Sequence, residues 1–433
     1  MGRRARTSVK GPEARSGASP AGRITIEANA AATNPASVSL ARNGSFLLLW
    51  AGQFVSQMGD RLAMVAFPWL VYTSTGSALS TGAVFALYTL PYVLFGAFAG
   101  VIIDRFNKRA VMIAADIVRG GLVLLVPFAA TRSLLAVYAL SFVVASAAVF
   151  FDPCKLAILP DLVTKDRLMR ANSLLATGEN LTEIVGYAAA GFLLAYVSTA
   201  TAFRIDAVTF AVSAGALTLM RYQAPVRAAA EQTARTFRHE LREGLSFLRH
   251  HHALLMNTLM VVAFVAGLGA SYPLTFLLAV QVLDAGTEAF GVFEAVIAVG
   301  YLAGSLALAT LATRVPKGLA MALGWATMGV SLIVVATTDG VWQACIPFAV
   351  LGLANAVALI ALDTWLQDVI PERLRGRVFG ARFTLTQGTY ALSVLVGGAL
   401  AGVFDVRALL IVAGVIMAIP GLAALFVRDI RDA

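Results

Sequence analysis

Charged residues, cysteine and histidine are all scarce in this sequence of 433 residues. Only 13% of the residues are charged, about half of the roughly 25% that soluble domains carry, which excludes an ordinary water-soluble globule. The two cysteines, Cys154 and Cys345, cannot form a disulfide framework and fit no metal-ligand spacing. We therefore expect no metal site and no bound cofactor.

Hydrophobic residues, in contrast, make up 59% of the chain. A helix needs about 20 apolar residues to cross a bilayer, and the sequence holds twelve such segments. The composition predicts an all-α polytopic membrane protein in the lipid bilayer. The predicted spans are 46–73, 80–103, 110–130, 134–157, 171–197, 202–220, 253–280, 289–312, 318–337, 341–366, 378–402 and 406–427.

The net charge of +9 is distributed unevenly between the two ends of these spans. Most lysines and arginines fall in the N-terminal segment and in alternate loops, whereas Arg132, Arg204 and Arg407 lie near the opposite side. Such a bias marks the cytoplasmic side. We expect both termini in the cytoplasm, and we do not expect nucleic-acid binding.

Two polar stretches and an internal duplication divide the chain. Within 221–252, Phe237, Leu241, Leu245 and Leu248 share one helix face, which predicts an amphipathic cytoplasmic helix. Short motifs recur at an offset of slightly more than 200 residues, such as Ala66-Phe-Pro68 and Ser271-Tyr-Pro273. Parallel repeats of six helices around a midplane site are a secondary-transporter architecture. The predicted domains are a disordered tail (1–44), a six-helix bundle (45–220), the linker (221–252), a second six-helix bundle (253–428) and a cytoplasmic tail (429–433).

The loop between spans two and three carries a recognisable motif. It contains Gly100, Asp104, Arg105, Lys108 and Arg109. We expect the glycine to allow close helix packing and the cations to anchor the loop at lipid headgroups. The segment resembles the signature loop of the major facilitator superfamily (MFS). Asn107 stands where the motif has glycine, which is a mild departure because asparagine also tolerates a left-handed turn.

Further segments narrow the resemblance, which covers about 40–428. Thr75-Gly-Ser-Ala78, Phe150-Phe-Asp-Pro153, Leu159-Pro-Asp-Leu162 and Arg375-Gly-Arg-Val378 are similar to the bacterial branch of macrolide-efflux and enterobactin-exporter permeases. The resemblance implies twelve helices in two pseudo-symmetric bundles and a transporter rather than an enzyme. It also implies a location in the inner membrane of a bacterial cell, and an architecture that can work as a monomer. One departure is Tyr187, which follows Gly186 where antiporters of the superfamily usually have proline.

Several carboxylates fall inside predicted spans, where a charge costs at least a few kcal/mol and needs a partner or a function. Asp60 lies near mid-depth in span one and is a candidate proton carrier, or forms a static pair with Arg61 or a partner helix. Glu179 and Glu183 share a face of span five, so both cannot easily be ionised. These two glutamates are candidates for a proton site. Alternatively, they form hydrogen bonds with neighbouring side chains. Glu294 and Asp363 are isolated acids and complete this set. Each of them either lines a substrate cavity or makes a structural hydrogen bond.

Two further groups of charges have other predicted roles. Asp116 and Arg119 stand three residues apart on span three, which indicates an intrahelical or interhelical ion pair, or a role in coupling. The resemblance implies a cytoplasmic gate in which Asp104, Asp152 and an arginine of span eleven, Arg377 or Arg382, lock the halves together when the protein faces outward. The alternative for these residues is helix capping and headgroup contacts.

Together these features predict a secondary active transporter that exports a lipophilic or amphiphilic small molecule by alternating access. The proton gradient would supply the energy, with protons exchanged for substrate. Two alternatives remain open at this stage: an importer or symporter of a small metabolite, and a membrane receptor that transports nothing.

Overall fold

The structure is a computed structural model that describes residues 40–222, 234–311 and 316–427. Helices form nearly all of these described residues. The predicted all-α fold is confirmed. The tails predicted at 1–44 and 429–433 lie almost wholly outside the described residues. The helices are α1 (Gly44–Thr75), α2 (Ala78–Arg105), α3 (Lys108–Ala130), α4 (Leu134–Leu162), α5 (Lys165–Tyr196), α6 (Thr199–Leu219), α7 (Ala234–His250), α8 (His252–Leu277), α9 (Gly286–Leu311), α10 (Lys317–Ala336), α11 (Val341–Val369), α12 (Arg375–Leu400) and α13 (Val406–Ala424).

Nine helices within the described ranges are long and apolar enough to cross a membrane: α2, α3, α4, α6, α8, α9, α10, α11 and α13. Three others, α1, α5 and α12, are also long, with 32, 32 and 26 residues. They are more polar because they carry charged residues such as Asp60, Glu179 and Arg382. Nine of the described helices are thus both long and apolar enough to span a membrane, and the count of twelve spans stays a prediction.

The two sets of six long helices pack in the same way. In the first half, α1–α6, α1 packs on α5 and α6, α3 packs on α4 and α6, and α2 packs on α4. In the second half, α8–α13, the equivalent pairs recur: α8 on α12 and α13, α10 on α11 and α13, and α9 on α11. The structure therefore repeats the six-helix unit that the sequence motifs indicate.

The amphipathic helix predicted in the linker is α7, which packs against the start of α12 and against α8. Leu248 is buried, and an ion pair joins Arg377 of α12 to Glu243 of α7. The linker helix thus lies against the second half and contacts the first residues of α12.

The two halves meet where α2 packs on α12 and α5 packs on α9. A Cβ atom added at Gly82 of α2 would lie 2.5 Å from the Cα of Gly398 of α12, and one at Gly191 of α5 would lie 3.0 Å from the Cα of Gly291 of α9. Only glycine permits such close backbone approach. Both crossings lie at the ends of the helices that are farthest from the described ends of the chain.

The loop between α2 and α3 differs in detail from the sequence prediction. Asn107 has φ −65° rather than a left-handed backbone, and its side chain caps α3 by accepting from the Ala110 N–H. Lys108 is buried and binds Asp161 at 2.7 Å, while Arg109 donates to carbonyls at the end of α6, including that of Leu217 at 2.7 Å. Both cations therefore tie α3 to neighbouring helices. The prediction of a headgroup anchor is wrong for Lys108, which is buried, and stays a prediction for Arg109, which is partly exposed.

Candidate functional site: a cavity between the halves

A cavity of about 1010 Å³ lies between the two halves of the described structure. The part of its lining that comes from the first half, here called the charged wall, contains seven ionisable acids and bases. The part from the second half, the apolar wall, is mainly valine, leucine, phenylalanine and tyrosine and contains three charged residues. The seven are Asp60, Arg61, Arg119, Asp152, Lys155, Glu179 and Glu183, and the three are Glu294, Asp363 and Arg382.

Aromatic side chains from both halves close the cavity at the end remote from the described termini. The rings of Phe85 and Tyr272 lie 5.0 Å apart, those of Phe85 and Phe276 lie 6.0 Å apart, and Tyr72 packs on Phe276 at 6.4 Å. The hydroxyls of Tyr187 and Tyr272 are 3.5 Å apart across the same boundary. These contacts form an aromatic layer that separates the cavity from that side.

Toward the other end, cavity side chains remain accessible. The Asp152 side chain is 49% exposed, and Phe383 is 50% exposed. Because the helix ends near these residues are those that also carry Gly44 and Ala424, the cavity opens on the side of the described termini. The structure is therefore a state in which the cavity is open on one side of the protein and closed on the other.

Ion pairs organise the charged wall. Arg61 of α1 binds Glu183 of α5 at 3.1 Å and donates to the Tyr187 hydroxyl at 3.4 Å. Lys155 of α4 binds Glu179 of α5 at 2.5 Å. The two glutamates that the sequence grouped as a coupled pair thus have separate cationic partners on separate helices.

Asp60 pairs with Arg119 of α3 rather than with its neighbour Arg61. The prediction of an ion pair within α3 between Asp116 and Arg119 is therefore wrong, whereas Arg119 does form an interhelical pair, with Asp60. The Arg119 guanidinium turns toward α1 and lies 4.2 Å from the Phe210 ring centre. Asp116 is fully buried and is not part of the cavity lining. About 30% of the Asp60 side chain stays exposed at the cavity wall, so it combines a buried partner with access to the cavity.

The expected gate is not assembled in this state. Arg382 is buried and donates to Asn257 at 2.9 Å and to Thr258, both on α8, whereas Asp152 accepts from the Tyr92 hydroxyl at 3.1 Å. Arg377 binds Glu243 of α7. Asp152 and Arg382 thus line the same cavity from opposite halves without pairing. Gly100, Asp104 and Arg105 belong to α2, but their side chains fall outside the described part of the structure.

Glu294 and Asp363 both lie in the apolar wall. Sequence reasoning missed Lys155 as a cavity residue, although it falls inside the predicted span 134–157, where any charge needs a partner. It also missed the tyrosines Tyr187, Tyr272 and Tyr390, because tyrosine is common in membrane helices and nothing in the local sequence separates a lining residue from a packing one.

With this geometry established, comparison with known proteins assigns the family. The profile of the MFS family described as transmembrane secretion effector matches residues 36–431. The chain belongs to the major facilitator superfamily. Members of this superfamily are membrane transporters rather than enzymes, so the chain is a multi-pass membrane transporter of small molecules, and the cavity between its halves is the candidate substrate site.

Individual relatives of this MFS chain agree with that assignment. The multidrug efflux pump Tap of Mycolicibacterium fortuitum is 26% identical over 407 residues, covering 90% of this chain and 97% of Tap. Macrolide efflux protein A of Streptococcus pyogenes is 24% identical over 371 residues, covering 84% and 89%. The crystal structure of the nucleoside transporter NupG has a TM-score of 0.71 at 13% identity, over 88% of this chain and 98% of NupG. The last likeness concerns the fold.

Proposed function

We propose that this transporter is a secondary active exporter of lipophilic or amphiphilic small molecules, driven by proton exchange. The cavity carries the proposal: about 1010 Å³ of space, with a largely apolar wall, opens on the side of the described termini and ends at the aromatic layer. That side is the cytoplasm by the charge bias of the loops. Relatives named as multidrug and macrolide efflux pumps favour export over the alternative of metabolite import.

Alternating access follows from the two kinds of contact between the halves. Rocking would separate the glycine crossings and the aromatic layer and would close the terminus side, where Asp152 and Arg382 face each other across the cavity. A substrate bound between the walls would then be released on the far side. The expected location is the cytoplasmic membrane of a bacterium, with the chain acting as a monomer.

Asp60 is the proposed coupling acid. Proton uptake would neutralise it and release Arg119, and a change of pairing inside the charged wall can bias the equilibrium between the two states. Glu179, Glu183, Glu294 and Asp363 are the other candidate acids. Among them, Glu179 and Glu183 already have cationic partners at the distances given above.

Ethidium accumulation in a bacterial host lacking its own efflux pumps tests the proposal. Cells that express the chain should hold less ethidium than cells with an empty vector, and a protonophore should remove the difference. Everted vesicles should take ethidium up, because export from the cell is import into an everted vesicle. Uptake by right-side-out vesicles instead would establish the importer.

A further inference from the structure

Glu294 differs from the acids that line the cavity from the charged wall. It projects from α9 within the apolar wall, and no lysine or arginine of the described residues lies within 4.0 Å of its carboxylate. In the charged wall, by contrast, Asp60, Glu179 and Glu183 each contact a cation. A carboxylate at membrane depth is costly without a partner. Asp363, the other acid of the apolar wall, also has no cation within 4.0 Å among the described residues, but it is exposed and interacts electrostatically with Arg382 of its own wall. Glu294 is therefore the less exposed acid of the apolar wall, and no cation of its own wall interacts with it.

Three tyrosines line the same cavity as this carboxylate. They are Tyr187 of α5, Tyr272 of α8 and Tyr390 of α12, and each lies close enough to Glu294 for an electrostatic interaction. The hydroxyls of Tyr187 and Tyr272 are 3.5 Å apart. The group therefore lies just below the aromatic layer, at the closed end of the cavity.

The nearest cation of the charged wall is already engaged. Arg61 binds both Glu183 and the Tyr187 hydroxyl, and it lies over the Tyr187 ring at 5.2 Å. Moving Arg61 to Glu294 would leave Glu183 unpaired in its place. A cation that neutralises Glu294 without disturbing this pair has to come from outside the described chain.

The lining around this point indicates what kind of cation fits. Tyrosine rings attract organic cations through their faces, by about 0.5–2 kcal/mol each, and a carboxylate supplies the opposite full charge. Val261, Val265 and Leu268 of α8 continue the wall with apolar surface. An inorganic cation would not use that surface, whereas a cation with a hydrophobic body would use both parts.

We propose that Glu294, with Tyr187, Tyr272 and Tyr390, forms a subsite for the charged group of an amphiphilic organic cation, such as a tertiary or quaternary ammonium or a phosphonium. The subsite rests on the proposed export function and names the substrate class. The apolar body of the cation lies against α8, and the Arg61–Glu183 pair stays intact on binding.

Binding of tetraphenylphosphonium to the purified full-length protein in nanodiscs tests the subsite by calorimetry. Triphenylphosphine oxide, a neutral molecule with the same phenyl groups, is the comparison ligand. We expect the wild-type protein to bind the phosphonium at least about tenfold more tightly than the oxide. Glu294→Gln should remove most of that preference, with little effect on the oxide. Glu294→Asp should keep part of it.

The matched control is Glu288→Gln, which removes the same charge from the first turn of α9, outside the cavity lining. It should leave both affinities within about twofold. Equal affinity of the wild-type protein for the two ligands would overturn the subsite, whether or not a variant folds. So would phosphonium binding that Glu294→Gln does not change, even if that variant lost proton-driven flux. Failure of ethidium export with phosphonium selectivity intact would instead count against the export function alone.

Discussion

The two walls of the cavity come from the same duplicated six-helix unit, yet they carry opposite chemistry. The offset of 205 residues between Pro68 and Pro273 places Asp60 at the position of Val265, and both residues line the cavity. The charged wall holds seven ionisable groups and the apolar wall three. Duplication has therefore kept the helix packing, which depends on glycine and other small residues at crossings, and has changed the residues that face the cavity.

The difference assigns separate tasks to the walls. A network of paired charges can exchange partners when one acid binds a proton, so the charged wall suits energy coupling. An apolar wall in which Glu294 has no cation on its own side suits recognition of a cation with a hydrophobic body. Changes to the charged wall should therefore alter coupling and stability, and changes to the apolar wall should alter which compounds bind.

The largest effect is expected for Asp60→Asn. The amide cannot exchange a proton, so protonophore-sensitive ethidium export should fall by at least about tenfold while the compound still binds. Ethidium efflux from cells and ethidium binding to the purified variant measure the two properties. Asp339→Asn, in an exposed pair with Arg407 outside the cavity, is the control and should change export by less than about twofold. Normal coupled export by Asp60→Asn would remove the proposed task of the charged wall.

A smaller loss is expected for Gly82→Val, which acts on the boundary between the walls. Its Cβ would lie 2.5 Å from the Cα of Gly398, so α2 and α12 could not close in the observed way. Export should fall by about fivefold, because the side-open state described above would become less populated. Gly215→Val on α6 has no atom within 4 Å of the added Cβ and should leave export unchanged. Equal export by both variants would show that this crossing does not control access.

The smallest effect concerns stability and compares one acid from each wall. Glu183→Gln leaves the Arg61 guanidinium without its carboxylate, and for a partly exposed pair the cost should be about 1–2 kcal/mol. Glu294→Gln removes a carboxylate that has no cation within 4.0 Å among the described residues, and it should not lower stability. Thermal unfolding of the purified variants checks the order. A larger loss of stability for Glu294→Gln would mean that Glu294 has a structural partner.

Sequence reasoning reached the fold but not the partners within the site. Apolar periodicity and the cost of charge in a membrane are local properties, so helix positions and the acids that need an explanation could be read from the residues. The partners could not, because Arg61 and Glu183 are 122 residues apart and Asp60 and Arg119 are 59 apart. The spacing of three residues favoured a pair between Asp116 and Arg119. In the structure, the packing of α3 on its neighbours brings Arg119 to Asp60 instead.

Flux into proteoliposomes under an imposed pH gradient tests the central claim most directly. With the purified chain in the membrane and an acidic lumen, protons leaving the vesicle should drive ethidium inward, and Asp60→Asn should abolish this accumulation. Collapsing the gradient with nigericin should stop it. Accumulation that is independent of the gradient, or that requires an alkaline lumen, would contradict proton-driven export.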